Sequence, residues 1–301
     1  MIFECWICKS KAFLKYRGTV SARDFFGAKN KYAIAEGGRE EKLDVYACSA
    51  CGLGFSPLDG VTGEDVKAFY TDQPVDSQYV QEEAGRRKSF QKVLQRIEEL
   101  RLQRGNILDY GAAAGIFLDE ARKAGWKIYG TEPGAGAREY AEKNFGISLL
   151  EDRELAELPD EFFDVVTLFD VIEHVADPAE TVRMLARKLK KGGLLVMTTP
   201  RFESLTRKIL GTRWYFMFPA HLWYFTRDAL GRMLRESGFG NAQFRVHVFH
   251  FSFSYLLKRF SSLFLPAVSR TSGVISGKKD SFRIIVPVCF GEEWEVYARK
   301  E

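Results

Sequence analysis

The stretch LDYGAAAGIFLDEA, residues 108–121, runs from an apolar strand end through two glycines four positions apart into a helical pattern. In a doubly wound sheet, the carboxyl end of the first strand enters a glycine turn and then a helix N-terminus. There, unpaired amides and the helix dipole attract an anion. Gly111 and Gly115 bound such a turn here, with Ala112, Ala113 and Ala114 between them. Taken alone, G-A-A-A-G reads equally as a packing turn or as a cradle for a ligand. KIYGTEPG, residues 127–134, shifts the balance towards the cradle. It is strand-like and ends at Glu132, 21 residues after Gly111, where an acid accepts hydrogen bonds from both hydroxyls of a ribose.

Outward from this stretch, strand and helix alternate to about residue 240. Strands are expected at 106–110, 127–131, 147–150, 164–169, 193–199 and 243–249, and helices at 115–124, 134–144, 178–190 and 227–237. Near-continuous apolar strands separated by helices make a mostly parallel sheet covered on both faces, with a ligand at the carboxyl ends of the strands. Upstream, Phe90, Val93, Leu94, Ile97 and Leu100 recur at helical spacing in a helix expected over 82–102, and GEDVKAFY, 63–70, reads as a shorter one.

The alanines bear on the ligand. A dinucleotide needs close backbone approach at the centre of the loop to seat its pyrophosphate, and Ala113 stands there. A cofactor presenting only a small carboxylate and ammonium, as S-adenosylmethionine does, tolerates that methyl group. With ILDYGAAAGIFL, YGTEPG, FFDVVTLFDVIEHVADP and LKKGGLLVMTTPR in order over residues 105–201, the chain resembles the class I S-adenosylmethionine-dependent methyltransferases, in particular their small-molecule branch. It departs from the pattern at Ala113, where the family usually has glycine. The resemblance implies an α/β fold with a doubly wound, mostly parallel seven-stranded sheet. It also implies that Asp109, Gly111 and the amides of Ala112, Ala113 and Gly115 hold the methionine end of the cofactor, and that Glu132, followed by Pro133, holds the ribose. Asp152 then accepts from the adenine amino group, while Arg153, Phe169 and Asp170 border the base and sulfonium.

Methyl transfer from a sulfonium is an in-line displacement, so the enzyme mainly aligns reactants and excludes water. A hydroxyl acceptor also needs a destination for its proton. The chain has four histidines. His174 follows the fourth strand in DVIEHVADP and His221 lies in FPAHLWYFT, and either suits a general base; His221 is preferred, against structural roles for both. His247 and His250, by an edge strand, read as ordinary. Residues 201–226, RFESLTRKILGTRWYFMFPAHLWYFT, are dense in aromatic and basic side chains and read as a substrate lid, or as rings that fill a core with the charges facing water, a mixture of the two being expected for the aromatics. FHFSFSYLLKRFSSLFLPAV, 249–268, reads as a helical insert that caps the pocket, forms a homodimer contact or rests on a membrane surface.

Four of the five cysteines form two pairs, Cys5/Cys8 and Cys48/Cys51, each C-x-x-C. In a reducing compartment this spacing supplies four thiolates to one structural zinc, a closed site with no open coordination position. A redox role would need only one pair, opening a helix in a βαβ unit. Cys289 reads as a small core residue. The organisation expected is a zinc ribbon over 1–58, a helical linker over 59–104 and a cofactor-binding domain over 105–301, carrying the lid insert 201–226 and the helical insert 250–268. The N-terminus lacks an apolar signal core and no run is long enough to span a bilayer, which places the chain in the cytoplasm. A net charge of +4 does not call for nucleic acid as partner.

The favoured reading is methyl transfer to a hydroxyl of a small molecule, sugar-linked, lipid-linked or aromatic. An RNA methyltransferase with a gripping ribbon is weakened by the small basic excess of residues 1–58 and by FDVIE in place of an N-P-P-Y-type tetrapeptide. Sugar C-methyltransferases also begin with a cysteine-rich module but usually carry a further domain. A non-catalytic binding protein is the remaining alternative.

Overall fold

The computed structural model describes residues 2–27, 42–71, 73–100, 103–253, 255–256 and 284–301, without the Asp152 side chain. Its centre is a six-stranded sheet. β5 (Asn106–Tyr110), β6 (Lys127–Thr131), β7 (Phe163–Phe169) and β8 (Leu189–Pro200) are parallel, and β13 (Glu293–Arg299) and β10 (Gln243–Val246) complete the sheet antiparallel, in the order β10-β13-β8-β7-β5-β6. β7 is buried at six of its seven positions, as expected for a central parallel strand covered on both faces.

The helices that cover it are α5 (Ile116–Lys123), α6 (Ala135–Phe145), α8 (Pro178–Lys188) and α10 (Arg227–Glu236). Local chemistry sets their ends. The Asp177 side chain accepts from the Glu180 amide ahead of Pro178, and Thr226 accepts from the Ala229 amide to start α10. Further upstream, α4 (Glu83–Leu100) docks on α5 through Arg87, which donates to Asp119 at 2.6 Å and to Glu120.

Several expectations are corrected. The strand expected at 147–150 is reduced to a single bridge, Thr131 to Leu150, because the chain leaves the sheet almost at once for α7 (Asp152–Glu157). The strand expected over 243–249 is two, β10 and β11 (Phe249–Ser252). The second turns away to pair with β12 (Ile285–Val288) and to pack on α4, where Ser89 bonds His250. Cys289 is exposed rather than in the core. Most of the insert expected over 250–268 lies outside the described residues.

The N-terminal strands β1 (Ile2–Glu4), β2 (Lys11–Tyr16), β3 (Val45–Cys48) and β4 (Gly54–Phe55) form an antiparallel sheet. Its fifth strand, β9 (Trp223–Tyr224), comes from the segment expected to be a lid. A Cβ at Gly54 would stand 2.7 Å from the Phe202 ring, so only glycine admits this approach. Thr226 also donates to the Cys51 carbonyl at 2.6 Å. Ile7, Leu53 and Phe55 share one hydrophobic core with Leu108, Val166, Met197 and Leu230. The cysteine-bearing sheet is thereby built into the larger fold, against 201–226. Among the described residues, no helix is long and apolar enough to cross a membrane.

Candidate active site

The 111–115 turn stands at the carboxyl end of β5. Gly111 and Gly115 have φ of +78° and +76°, and Ala113 between them has φ of +46°. The left-handed region costs an alanine about 1–2 kcal/mol and glycine little, which explains why glycine suits this position. Gly111 is also sterically required, since a Cβ there would meet Val171 at 2.6 Å. The amides of Gly111 and Ala112 donate to the Thr131 carbonyl at 2.9 and 2.8 Å, and Gly115 donates to the Ala112 carbonyl at 2.9 Å. The Ala113 amide donates to Glu132 Oε2 at 2.8 Å, and the Gly134 amide to Oε1 at 2.8 Å. Loop and acid, distinct motifs in the sequence, are thus bonded directly, and the carboxylate is held in the mouth between two strand ends.

Asp109 is buried beneath the loop and accepts from Thr167 Oγ1 at 2.6 Å. Burial pushes its pKa up to about 7, partly offset by the Thr167 bond, with Glu132 adding to the rise. Asp170 follows β7 at φ +55° and accepts from Thr198 Oγ1 at 2.8 Å. Phe169 packs edge-on against Phe117, with ring centres 4.8 Å apart, and is tilted against Phe90. Pro133 lies beside Glu132, and its carbonyl accepts from Arg138 at 2.7 Å. Arg153 is 79% exposed and pairs with Glu151, so it faces solvent. The Asp152 side chain lies outside the described residues.

His174 and His221, 47 positions apart in the chain, have ring centres 4.5 Å apart. His221 Nδ1 is 2.8 Å from the Phe216 carbonyl, leaving Nε2 4.0 Å from Glu173 Oε1. His174 Nδ1 stands 2.9 Å from the Ala220 carbonyl and 2.8 Å from the Tyr70 hydroxyl. Burial lowers both imidazole pKa values, that of His174 to about 4, so both rings are neutral near pH 7. Glu173 is fully buried, and its Oε2 accepts from Thr199 Oγ1 at 3.0 Å. The Glu173 carbonyl accepts from the Leu222 and Trp223 amides, which ties it to the 201–226 segment. His247 and His250 bond Glu295 and Ser89 away from this cluster.

Sequence reasoning missed the residues that α2 (Gly63–Thr71), α3 (Ser77–Gln81) and α4 bring over the site. Tyr70 reaches His174. Tyr79 is half-buried near Asp109, Asp170 and Glu132, with Arg86 3.8 Å from its ring centre. A Cβ at Gly136 would meet the Val75 amide at 2.8 Å, which shows how closely this segment covers α6. Glu173 was legible as the neighbour of His174, but nothing in the sequence sets it apart from other acids. A cleft of about 280 Å³ lined by Leu100, Leu194, Tyr297 and Arg299 involves none of these residues.

At the N-terminal sheet, Cys5 and Cys51 sulfurs are 3.7 Å apart and those of Cys8 and Cys48 3.3 Å. All four sulfurs lie within 4.8 Å of one another. Zinc bound tetrahedrally at 2.3 Å sets its sulfurs about 3.8 Å apart, so the four thiols fit one ion, and the Ala50 amide points at the Cys48 sulfur at 3.4 Å.

With this geometry in place, the chain was compared with known proteins. A family model described as a methyltransferase domain matches residues 82–243, more than half of the chain. The chain belongs to the class I S-adenosylmethionine-dependent methyltransferase family. Among curated relatives of this methyltransferase, a ubiquinone biosynthesis O-methyltransferase of Sodalis glossinidius is 37% identical over 102 residues, 31% of this chain and 41% of that protein. One of the same name from Ruegeria pomeroyi is 32% identical over 147 residues, covering 44% and 58%. The chain spans about half the length of the curated relatives it matches. A solved S-adenosylmethionine-dependent methyltransferase from Archaeoglobus fulgidus superposes with a TM-score of 0.50 at 19% identity, covering 75% of this chain and all of that one. The YcgJ protein of Bacillus subtilis gives 0.50 at 16%, covering 71% and 98%. These two likenesses concern the fold alone.

Proposed function

We propose that this chain transfers a methyl group from S-adenosylmethionine to a hydroxyl of a small molecule, with zinc holding the N-terminal ribbon through Cys5, Cys8, Cys48 and Cys51. The observation that carries the reading is the bond between the 111–115 turn and Glu132 at the carboxyl ends of adjacent parallel strands. When bound, the cofactor supplies an electrophilic methyl group on a sulfonium. In this reading the 111–115 turn and Asp109 hold its methionine end, Glu132 beside Pro133 orients the ribose, and Phe169 and Asp170 border the base and sulfonium. Glycine at 111 and 134 fits such a cradle, since a Cβ at either would meet Val171 or Glu132 within 3 Å.

The acceptor side is assigned to the cluster past β7, where His221 and His174 receive the hydroxyl proton. The cluster is walled by Tyr70 and Phe218 and closed by the lid that carries His221. Enclosure of this kind excludes water from a displacement whose charge disappears in the product. The names of the curated relatives support a hydroxyl acceptor, aromatic or lipid-linked. The experiment is transfer of labelled methyl from S-adenosylmethionine to a small-molecule extract and, separately, to RNA. Label in a base-stable small-molecule ether fraction agrees with the proposal, whereas label confined to RNA, or released by base as methanol from an ester, contradicts it.

A further inference from the structure

Among the described residues, Glu173, His174 and His221 form a second group, besides the four cysteines, whose ligand atoms lie within 4.8 Å of one another. Glu173 and His221 are each oriented by a bond on their other polar atom, and His174 by bonds at Nδ1. Thr199 holds Glu173 Oε2, the Phe216 carbonyl holds His221 Nδ1 and the Ala220 carbonyl holds His174 Nδ1. Outer contacts of this kind fix the tautomer and direction of metal ligands. The inward atom, Glu173 Oε1, is buried with no hydrogen-bond partner, on a side chain that is fully enclosed. A buried carboxylate oxygen without a donor is costly unless a cation or proton meets it. Glu293, also buried, has an unpartnered oxygen too.

We propose that Glu173, His174 and His221 bind one divalent transition-metal ion of the zinc or iron(II) type, which orients and acidifies the acceptor hydroxyl. Two imidazoles and one carboxylate suit such borderline ions and leave positions open for a substrate oxygen. Ligands at about 2.1 Å from one ion stand at most about 4.2 Å apart. Glu173 Oε1 and His221 Nε2 already satisfy this at 4.0 Å, and side-chain adjustment of about half an ångström closes the set. The role, though not the binding, rests on the methyl-transfer reading. With the ion bound, both imidazoles would serve as ligands in place of the base role, and the acceptor hydroxyl, acidified on the metal, would lose its proton to water as it binds. Its oxygen then forms the O–C bond as the C–S bond breaks, and that bonding pair passes to sulfur, leaving a neutral thioether. The acceptor class that follows is a hydroxyl flanked by a second oxygen able to share the ion, as in a catechol or a sugar diol.

The test is a cobalt(II) titration of the whole chain with zinc already in the ribbon, followed by absorption and metal analysis. Uptake of one further cobalt per chain is expected, with weak d–d bands and no thiolate charge-transfer band. Glu173→Gln, which retains the Thr199 bond, and His221→Gln should each weaken that uptake more than ~10-fold while ribbon zinc stays at one per chain. Binding of S-adenosylhomocysteine by both variants reports that they are folded. No uptake beyond the ribbon overturns the proposal, as does uptake with a thiolate band, or uptake unchanged in both variants. Cobalt binding without S-adenosylhomocysteine binding would instead leave the site standing and remove the methyl-transfer reading.

Discussion

At Ala113 an alanine occupies a backbone conformation that glycine adopts at little cost. Ala113→Gly removes a left-handed penalty but loosens the unfolded chain, so a net change between zero and about 1 kcal/mol in favour of folding is expected. Chemical denaturation reads this directly, and clear destabilisation would show that the loop is held by the methyl group rather than in spite of it. Asp109 gives a pH signature. Its folded pKa of about 7 lies above its unfolded value, so the folded state holds a proton that the unfolded state releases. Asp109 therefore contributes most favourably at acid pH and erodes stability as pH rises from about 4 to about 7. Asp109→Asn should gain stability relative to the parent as pH rises through this window. Parallel pH profiles for the two proteins would contradict the raised pKa. Ala113 and Glu132 were both legible in the sequence from motif spacing. Their mutual bond was not, because it depends on the register of β5 against β6.

Among the elements, Thr226 joins two structures, capping α10 through the Ala229 amide and bonding the Cys51 carbonyl of the ribbon. Thr226→Val keeps the shape and loses both bonds, and a loss of about 1–2 kcal/mol is expected by thermal or denaturant unfolding. An unchanged midpoint would mean that packing alone fixes this junction. The helices of the parallel half were legible because apolar spacing and caps agree, as at Asp177 and Pro178. The sheet edges were not. Residues 147–150 have strand character but are diverted by α7, and 243–249 divides because β11 finds α4 and β12 as partners far away in the chain. Long-range partners of this kind leave no periodic signal.

For the molecule as a whole, the largest revision is that the cysteine-bearing N-terminal strands and the 201–226 segment form one antiparallel sheet, joined at Gly54–Tyr224 and Phe55–Trp223. The cysteine spacing sets off the N-terminal strands and the aromatic density sets off residues 201–226, but neither pattern contains their pairing. Cys48→Ser should accordingly lose zinc and raise hydrogen exchange in residues 2–16, 45–55 and 223–224 together, while β5, β7 and β8 stay protected. Full zinc occupancy in this variant would exclude a site of four thiolates, and faster exchange in β7 would mean that the ribbon supports the whole core. The site is likewise a property of the whole, since Tyr70, Tyr79 and Arg86 come from the helices between the ribbon and the sheet. The central claim is that the 111–115 turn and Glu132 grip S-adenosylmethionine, and calorimetric titration with S-adenosylhomocysteine tests it most directly. Saturable binding at one per chain, weakened about 10–100-fold by Glu132→Ala, is the predicted result. Absence of binding to the parent chain, or equal affinity in Glu132→Ala, would contradict it.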